Sequence, residues 1–139
     1  MAVAALTPRV RNIIICDDAV AGLTEDAVFT LEGVRFHLVA SSFPCRRDLN
    51  VFLFLSSARK GRYPGRVLVV NEQNAKVIRY VKFFATFDED NGLLVLNVDV
   101  GDCVFPEPGR YNFQIYFVAA GGGEALKGEH PFIVLSEEE

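Results

Sequence analysis

The stretch Pro106–Phe117, PEPGRYNFQIYF, decides the fold class of this 139-residue chain. Two prolines and a glycine form a turn, and the segment after it places Tyr111, Phe113, Ile115 and Phe117 at every second position. Successive side chains of a β-strand point to opposite faces, so this alternation predicts a strand with one core-facing side. We expect Tyr111 to be buried, with its hydroxyl bonded to the backbone of the preceding turn.

Short apolar runs separated by turn signals continue in both directions from this strand. The predicted strands are Val10–Cys16, two segments within Ala27–Ser42 broken at Gly33, Leu49–Ser56, Arg66–Glu72, Val77–Phe87, Leu93–Val100 and Phe132–Leu135. Glycine at position 33 predicts a bulge or bend, and Gly109 belongs to the turn before Tyr111. Between strands, Ala19–Asp26 is a connection that could hold a turn of helix, and Ala58–Gly65 is predicted as a loop with a turn at Pro64-Gly65.

This pattern, without a convincing helix, predicts an all-β, immunoglobulin-like antiparallel β-sandwich in a single domain. Residues 1–9 are interpreted as a lead-in, 10–136 as the sandwich domain and 137–139 as an acidic tail. Half of the residues are hydrophobic, which excludes a disordered chain. No apolar run approaches the roughly 20 residues of a membrane span, and the net charge of −4 argues against general nucleic-acid binding.

The three cysteines, Cys16, Cys45 and Cys103, are odd in number and show no CxxC pairing. We therefore expect reduced thiols, and neither a disulfide framework nor a structural metal site. Because the start of the chain also lacks the pattern of a signal peptide, the sequence favours a cytoplasmic location.

Two resemblances follow from these motifs. PEPGRYNFQIYF, the glycine tip after it and HPFIV together resemble the last hairpin of immunoglobulin-like sandwiches, where a tyrosine in the position of Tyr111 forms a tyrosine corner. The segments IIICDD, FTLEGVRF and FP are similar to those of a family of small bacterial proteins of unknown function that have this sandwich. The resemblance implies a fold and a bacterial cytoplasmic setting, and it carries no functional residue.

No motif for catalysis is present, because His37 and His130 are isolated bases without a nucleophile motif. We predict that the protein is not an enzyme and has no catalytic residues, cofactor or metal. Two weaker alternatives are a metal site in which Cys16-Asp17-Asp18 joins His37 or Cys45, and a calcium loop at Asp88–Gly92. A buried thiol beside a turn and a solvated hairpin tip are the favoured interpretations.

The surplus of large apolar residues suggests an interaction surface. With Leu49, Val51, Leu53 and Leu55 facing the core, the outward residues are Phe52, Phe54, Ile78, Tyr80 and Phe84. Such a patch exceeds what monomers usually expose and predicts a homodimer or a protein partner, with neither nucleic acid nor membrane involved. The equal alternative is that a bulge, for example at Phe83-Phe84, returns some of these residues to the core.

The loop residues Arg59, Lys60, Arg62 and Tyr63 form the only basic loop that also carries an aromatic residue. The first functional hypothesis is therefore a non-catalytic interaction or structural module, and the second is binding of a small ligand or anion through this loop. An ordinary solvated loop is the favoured structural interpretation.

Overall fold

The computed structural model describes residues 7–21, 29–119 and 122–137, and every regular element in these ranges is a β-strand. The strands are β1 Arg9–Ala21, β2 Phe29–Val34, β3 His37–Ala40, β4 Cys45–Ser57, β5 Gly61–Asn71, β6 Val77–Phe87, β7 Gly92–Phe105, β8 Gly109–Val118 and β9 Glu124–Ser136. No helix long and apolar enough to cross a membrane occurs among the described residues. The predicted all-β class is confirmed.

The strands form two sheets, with the orders β2-β1-β4-β7 and β3-β9-β8-β5-β6. Within them, β1-β4-β7 and β5-β8-β9 correspond to the A-B-E and C-F-G orders of immunoglobulin sandwiches, and β6 extends the second sheet as an additional strand does in variable domains. One pair departs from the expected antiparallel arrangement, because β3 runs parallel to β9. The two strand orders also show that the chain changes sheet between β2 and β3.

The core lies between the sheets and is made of the alternating residues on their inner faces. Tyr111 is fully buried, packs edge-on against Phe105 at 4.9 Å, and donates its hydroxyl hydrogen to the carbonyl oxygen of Glu107 at 2.6 Å. Burial raises the pKa of the Tyr111 hydroxyl, so the group stays protonated and remains a donor. The tyrosine corner that the sequence predicted is present in this geometry.

The predicted turn at Pro64-Gly65 is wrong, since both residues lie within β5. Gly65 is buried between Phe83 of β6 and Phe117 of β8, whose rings meet edge to face at 5.6 Å. A Cβ atom at Gly65 would lie 2.6 Å from the Phe83 ring. This glycine therefore makes room for two aromatic rings in the core, and the loop between β4 and β5 is shorter than the predicted Ala58–Gly65.

Strand ends also differ from the predictions. The first strand begins at Arg9 and continues through Ala21, so the described part of Ala19–Asp26 is strand, and residues 22–26 lie outside the described residues. Gly33 lies in β2 at a φ of 65°, and Gly109 begins β8 at a φ of 144°. All three cysteines are free thiols in the structure.

Candidate functional site

The five predicted interface residues do not share one surface. Phe52 and Phe54 lie on β4 in the four-stranded sheet, whereas Tyr80 and Phe84 lie on β6 in the five-stranded sheet. Ile78 packs against the core because it is the extra residue of a bulge in β6, where Val69 pairs with Arg79 and Val70 with Val77. The prediction of a single patch is therefore wrong, since the outer faces of a two-layer sandwich point in opposite directions.

The outer surface of the four-stranded sheet around Phe54, here called the uncharged face, has no ionisable side chain in its two central rows. Phe54 pairs with Asn12 of β1 and Val95 of β7, and the next row joins Ile14, Phe52 and Asn97. Phe54 is 38% exposed, and Leu93 of β7, one row further along, is 68% exposed. The two central rows thus present apolar side chains and amides, with Arg9 in the row of Leu93 and Asp99 beside Asn50 at the other end.

Phe52 contributes little to the exposed part of this face. Its ring packs edge to face against Phe29 of β2, with 5.0 Å between the ring centroids, and only 9% of the residue is exposed. The chain therefore covers Phe52 itself, and Phe54 is the large aromatic residue of β4 that remains accessible.

At the edge of the four-stranded sheet, Asp17 of β1 is paired with Arg35, which follows β2. Arg35 donates to both carboxylate oxygens of Asp17, from Nε at 2.5 Å and from Nη2 at 2.8 Å. This bidentate bond holds the pKa of Asp17 below its usual value and raises that of Arg35. A Cβ atom at Gly33 would lie 2.2 Å from Asp17 Oδ2, so the glycine makes this pairing possible.

The outer surface of the five-stranded sheet around Arg66, here called the cationic face, interleaves basic and aromatic side chains. The Arg62 guanidinium lies 3.8 Å from the Phe84 ring centroid, and that of Arg66 lies 5.2 Å from Tyr80. Arg66 is also 5.5 Å from Tyr116, and Lys82 Nζ is 6.0 Å from Tyr80. These are cation–π geometries, and each ring keeps a basic group close to the surface of the sheet.

Within the described part of the chain, one carboxylate, that of Glu124, reaches the centre of the cationic face. It forms an ion pair with Nη2 of Arg66. The Nε atom of Arg66 is buried and has no hydrogen-bond partner, and Lys82 forms no ion pair with any of the described residues. Arg66 and Lys82 are directly opposed across β5 and β6. The face therefore retains more positive than negative charge.

The predicted anion loop does not form a common basic site. Tyr63 donates its hydroxyl hydrogen to the carbonyl oxygen of Arg59 at 2.9 Å and packs against Phe87 at the core. Lys60 donates its backbone N–H to Asp90 at 2.9 Å. Arg62 instead stacks on Phe84, so it belongs to the cationic face. Whether the loop binds an anion stays a prediction.

Neither weaker metal hypothesis gains a ligand set. Among residues 7–21, 29–119 and 122–137, no three His, Cys, Asp or Glu side chains are grouped as a metal site requires. Asp17 is bonded to Arg35, and His130 stacks on Phe36 with 6.5 Å between their ring centroids. Burial raises the pKa of the Cys103 thiol to about 12, which makes it a poor thiolate ligand or nucleophile.

Sequence reasoning missed Lys82, Tyr116 and Glu124 as members of a shared surface. The alternation did contain a usable signal, since Lys82 lies between the inward-facing Val81 and Phe83. The missing information was the register that places Arg66 opposite both Tyr116 and Lys82.

Comparison with known proteins adds two remote structural likenesses. No family model matches the chain, and no curated protein matches it. CopC from Methylosinus trichosporium OB3b is 12% identical, with 96% of this chain and 98% of that chain covered and a TM-score of 0.41. The soluble domain of PmoD from Methylocystis sp. ATCC 49242 (Rockwell) is 9% identical, with 96% and 94% covered and a TM-score of 0.35. The predicted bacterial family of unknown function is thus not matched, and the sandwich is what the structure supports.

The cytoplasmic location predicted from the sequence is contradicted by these comparisons. The prediction rested on an odd number of cysteines and on the residues at the start of the chain. Neither observation identifies a compartment, and the prediction is withdrawn.

Proposed function

We propose that this protein is a non-catalytic interaction module that self-associates through the uncharged face. The observation that supports this proposal most directly is the exposure of Phe54, at 38%, within two rows that contain no ionisable side chain. Leu93 of β7 lies in the next row, which also contains Ser56 and Arg9. Large aromatic residues at the centre of a patch with few charges are typical of the core of protein interfaces.

A second copy of the chain is the occupant that fits this face. Closed two-fold dimers are the commonest soluble oligomers, and their interface brings one patch against an identical patch. An unpaired charge near the two-fold axis of such an interface lies close to the same charge on the partner copy. The rows around Phe54 avoid this repulsion because they contain Asn12, Ile14, Val95 and Asn97. A stable dimer of this kind buries about 1,200–2,000 Å² in total.

Phe54→Glu tests this proposal by placing a carboxylate in the proposed interface. We expect the unmodified protein to be a dimer at micromolar concentration and Phe54→Glu to be a soluble monomer, because the new charge would be desolvated without a partner. Light scattering coupled to size-exclusion chromatography gives the mass of each species. Circular dichroism shows whether the variant keeps its β-sheet spectrum.

Phe84→Glu is the matched control, since it makes the same substitution at a 51% exposed phenylalanine on the other sheet. It should remain dimeric. An unmodified protein that is already monomeric at micromolar concentration contradicts self-association. If Phe84→Glu dissociates while Phe54→Glu stays dimeric, the interface lies on the five-stranded sheet and the proposed face is wrong.

A further inference from the structure

We propose that the cationic face binds an acidic, extended protein segment through its carboxylate side chains. The face combines the basic groups of Arg62, Arg66 and Lys82 with aromatic rings and one carboxylate. This site lies on the opposite side of the sandwich from the uncharged face. The proposal therefore does not depend on self-association.

The strongest indication of an anionic ligand is the cross-strand pair of Arg66 and Lys82. Directly opposed side chains on neighbouring antiparallel strands have Cβ atoms about 4.5–5.5 Å apart, and like charges in this position destabilise a sheet. The structure places these two cations opposite each other and gives only Arg66 a carboxylate. A carboxylate from a ligand would compensate Lys82 and remove the repulsion.

Glu124 shows how a carboxylate enters this face. It reaches Arg66 from the start of β9, where it pairs with Val118 at the end of β8. Arg66, Lys82 and Glu124, together with Tyr80 and Phe84, line a depression of about 290 Å³. We infer that Glu124 occupies part of the site that a ligand carboxylate would otherwise use. The internal ion pair therefore competes with the acidic segment.

The spacing of the cations suits an extended chain. Arg62 and Arg66 are four residues apart on β5, which corresponds to about 13 Å along a strand, and alternate side chains of an extended peptide repeat about every 7 Å. Exposed Phe84 lies between these cations in the direction of the strand, opposite Pro64. A segment with carboxylates at alternate positions can thus contact both cations and cover the ring.

The overall charge of the chain favours an acidic peptide over a nucleic acid. The net charge is −4, so a long polyanion is repelled by the rest of the surface while a short segment experiences mainly the local cations. The depression is also small, at about 290 Å³. Carboxylate side chains are therefore the ligand chemistry that we assign to this face.

The test uses a fluorescein-labelled twelve-residue peptide of alternating Glu and Val, and a matched peptide of alternating Gln and Val. Fluorescence anisotropy with the full chain at about 50 mM salt should show binding of the Glu peptide and not of the Gln peptide. Lys82→Gln should weaken this binding about two- to fivefold, which is the usual effect of one exposed ion pair. Glu124→Gln should strengthen it by a similar factor, because it removes the competing carboxylate.

Charge-matched controls lie on the other sheet. Arg46→Gln removes an exposed cation of β4 and so repeats the change in net charge of Lys82→Gln away from the site. Glu32→Gln removes an exposed carboxylate of β2 and does the same for Glu124→Gln. Both should leave the affinity unchanged. The monomeric variant Phe54→Glu should bind the peptide as the unmodified protein does, which separates this proposal from self-association.

Three outcomes would overturn the assignment. Equal binding of the Gln peptide excludes carboxylate recognition. An affinity that Lys82→Gln and Glu124→Gln do not change places any binding elsewhere on the chain. Tighter binding of inorganic phosphate or of a twelve-nucleotide single-stranded DNA than of the Glu peptide assigns the face to a phosphate ligand instead.

Discussion

The two outer faces of this sandwich are both formed by β-strands, but they differ in charge. The rows around Phe54 are uncharged, whereas those around Arg66 are cationic. On the four-stranded sheet, the strand partners of Phe54 are the uncharged residues Asn12 and Val95. On the five-stranded sheet, the strand partner of Arg66 is another cation, Lys82. Both faces expose aromatic rings, so hydrophobicity alone does not distinguish them.

The difference between the faces shows how the charge of a surface determines the kind of partner that it can bind. An uncharged apolar patch can pack against its own copy, whereas a patch with excess positive charge repels its copy in a two-fold interface. A carboxylate-bearing partner relieves that repulsion on the cationic face. The same sandwich can therefore present one surface for itself and another for a different molecule.

The largest expected effect is the difference in unfolding free energy between alanine substitutions at Phe52 and at Phe54, which lie on the same strand. Phe52→Ala should lower the free energy of unfolding by about 2–4 kcal/mol, because the ring is 9% exposed and packs against Phe29. Phe54→Ala should cost less than about 1 kcal/mol in the monomer, because its ring is 38% exposed. Urea unfolding, followed at two protein concentrations to separate folding from association, measures both values.

Equal costs for the two substitutions would contradict this division of the uncharged face. In that case Phe54 would be part of the folded monomer's packing, and its exposure would no longer support a docking role. Phe84→Ala provides the corresponding value for the cationic face, and its 51% exposure predicts a similarly small cost.

The sequence was sufficient to predict the fold class and the tyrosine corner. Alternation in Tyr111–Phe117 is a local property, and Tyr111 bonds to Glu107 only four residues away. The turn directly before Tyr111 is therefore sufficient to predict the hydrogen bond of its hydroxyl. The same local reasoning identified Phe54 and Phe84 as outward-facing residues.

The sequence was not sufficient where partners distant in the chain decide the outcome. Pro64-Gly65 looks like a turn until Phe83 and Phe117 fill the space above the glycine. Ile78 looks outward-facing until a bulge opposite Val69 and Val70 changes the register. Assignment of β4 and β6 to different sheets also depends on pairing, and this is why two separate faces were interpreted as one.

A smaller effect is expected from a change in the core beneath both faces. Tyr111→Phe removes the hydroxyl that donates to Glu107 and should cost about 0.5–1.5 kcal/mol of unfolding free energy. The ring and its contact with Phe105 remain, so neither outer face should change. Urea unfolding measures the cost, while light scattering and peptide binding should match the unmodified protein. Unchanged stability would show that the corner's hydrogen bond contributes nothing net to folding.

The smallest effect concerns the ion pair between Asp17 and Arg35 at the edge of the four-stranded sheet. Hydrogen bonding by Arg35 holds the pKa of Asp17 below its usual value, and Arg47 adds a weaker attraction. A carboxyl group with a lowered folded-state pKa stabilises the protein above its unfolded-state pKa and loses this contribution as the pH falls through the folded-state value. Because the Asp17 side chain is 40% exposed, we expect only about 0.2–1 kcal/mol.

Asp17→Asn tests this contribution. At pH 6 the variant should be less stable than the unmodified protein by that amount in urea unfolding, and the difference should shrink as the pH falls below the ordinary pKa of an aspartate. Asp88→Asn is the matched control, because it removes an exposed carboxylate at the β6–β7 tip that forms no ion pair with the described residues. A stability difference for Asp17→Asn that stays constant as the pH is lowered would mean that packing around Asp17, and not its charge, causes the loss of stability.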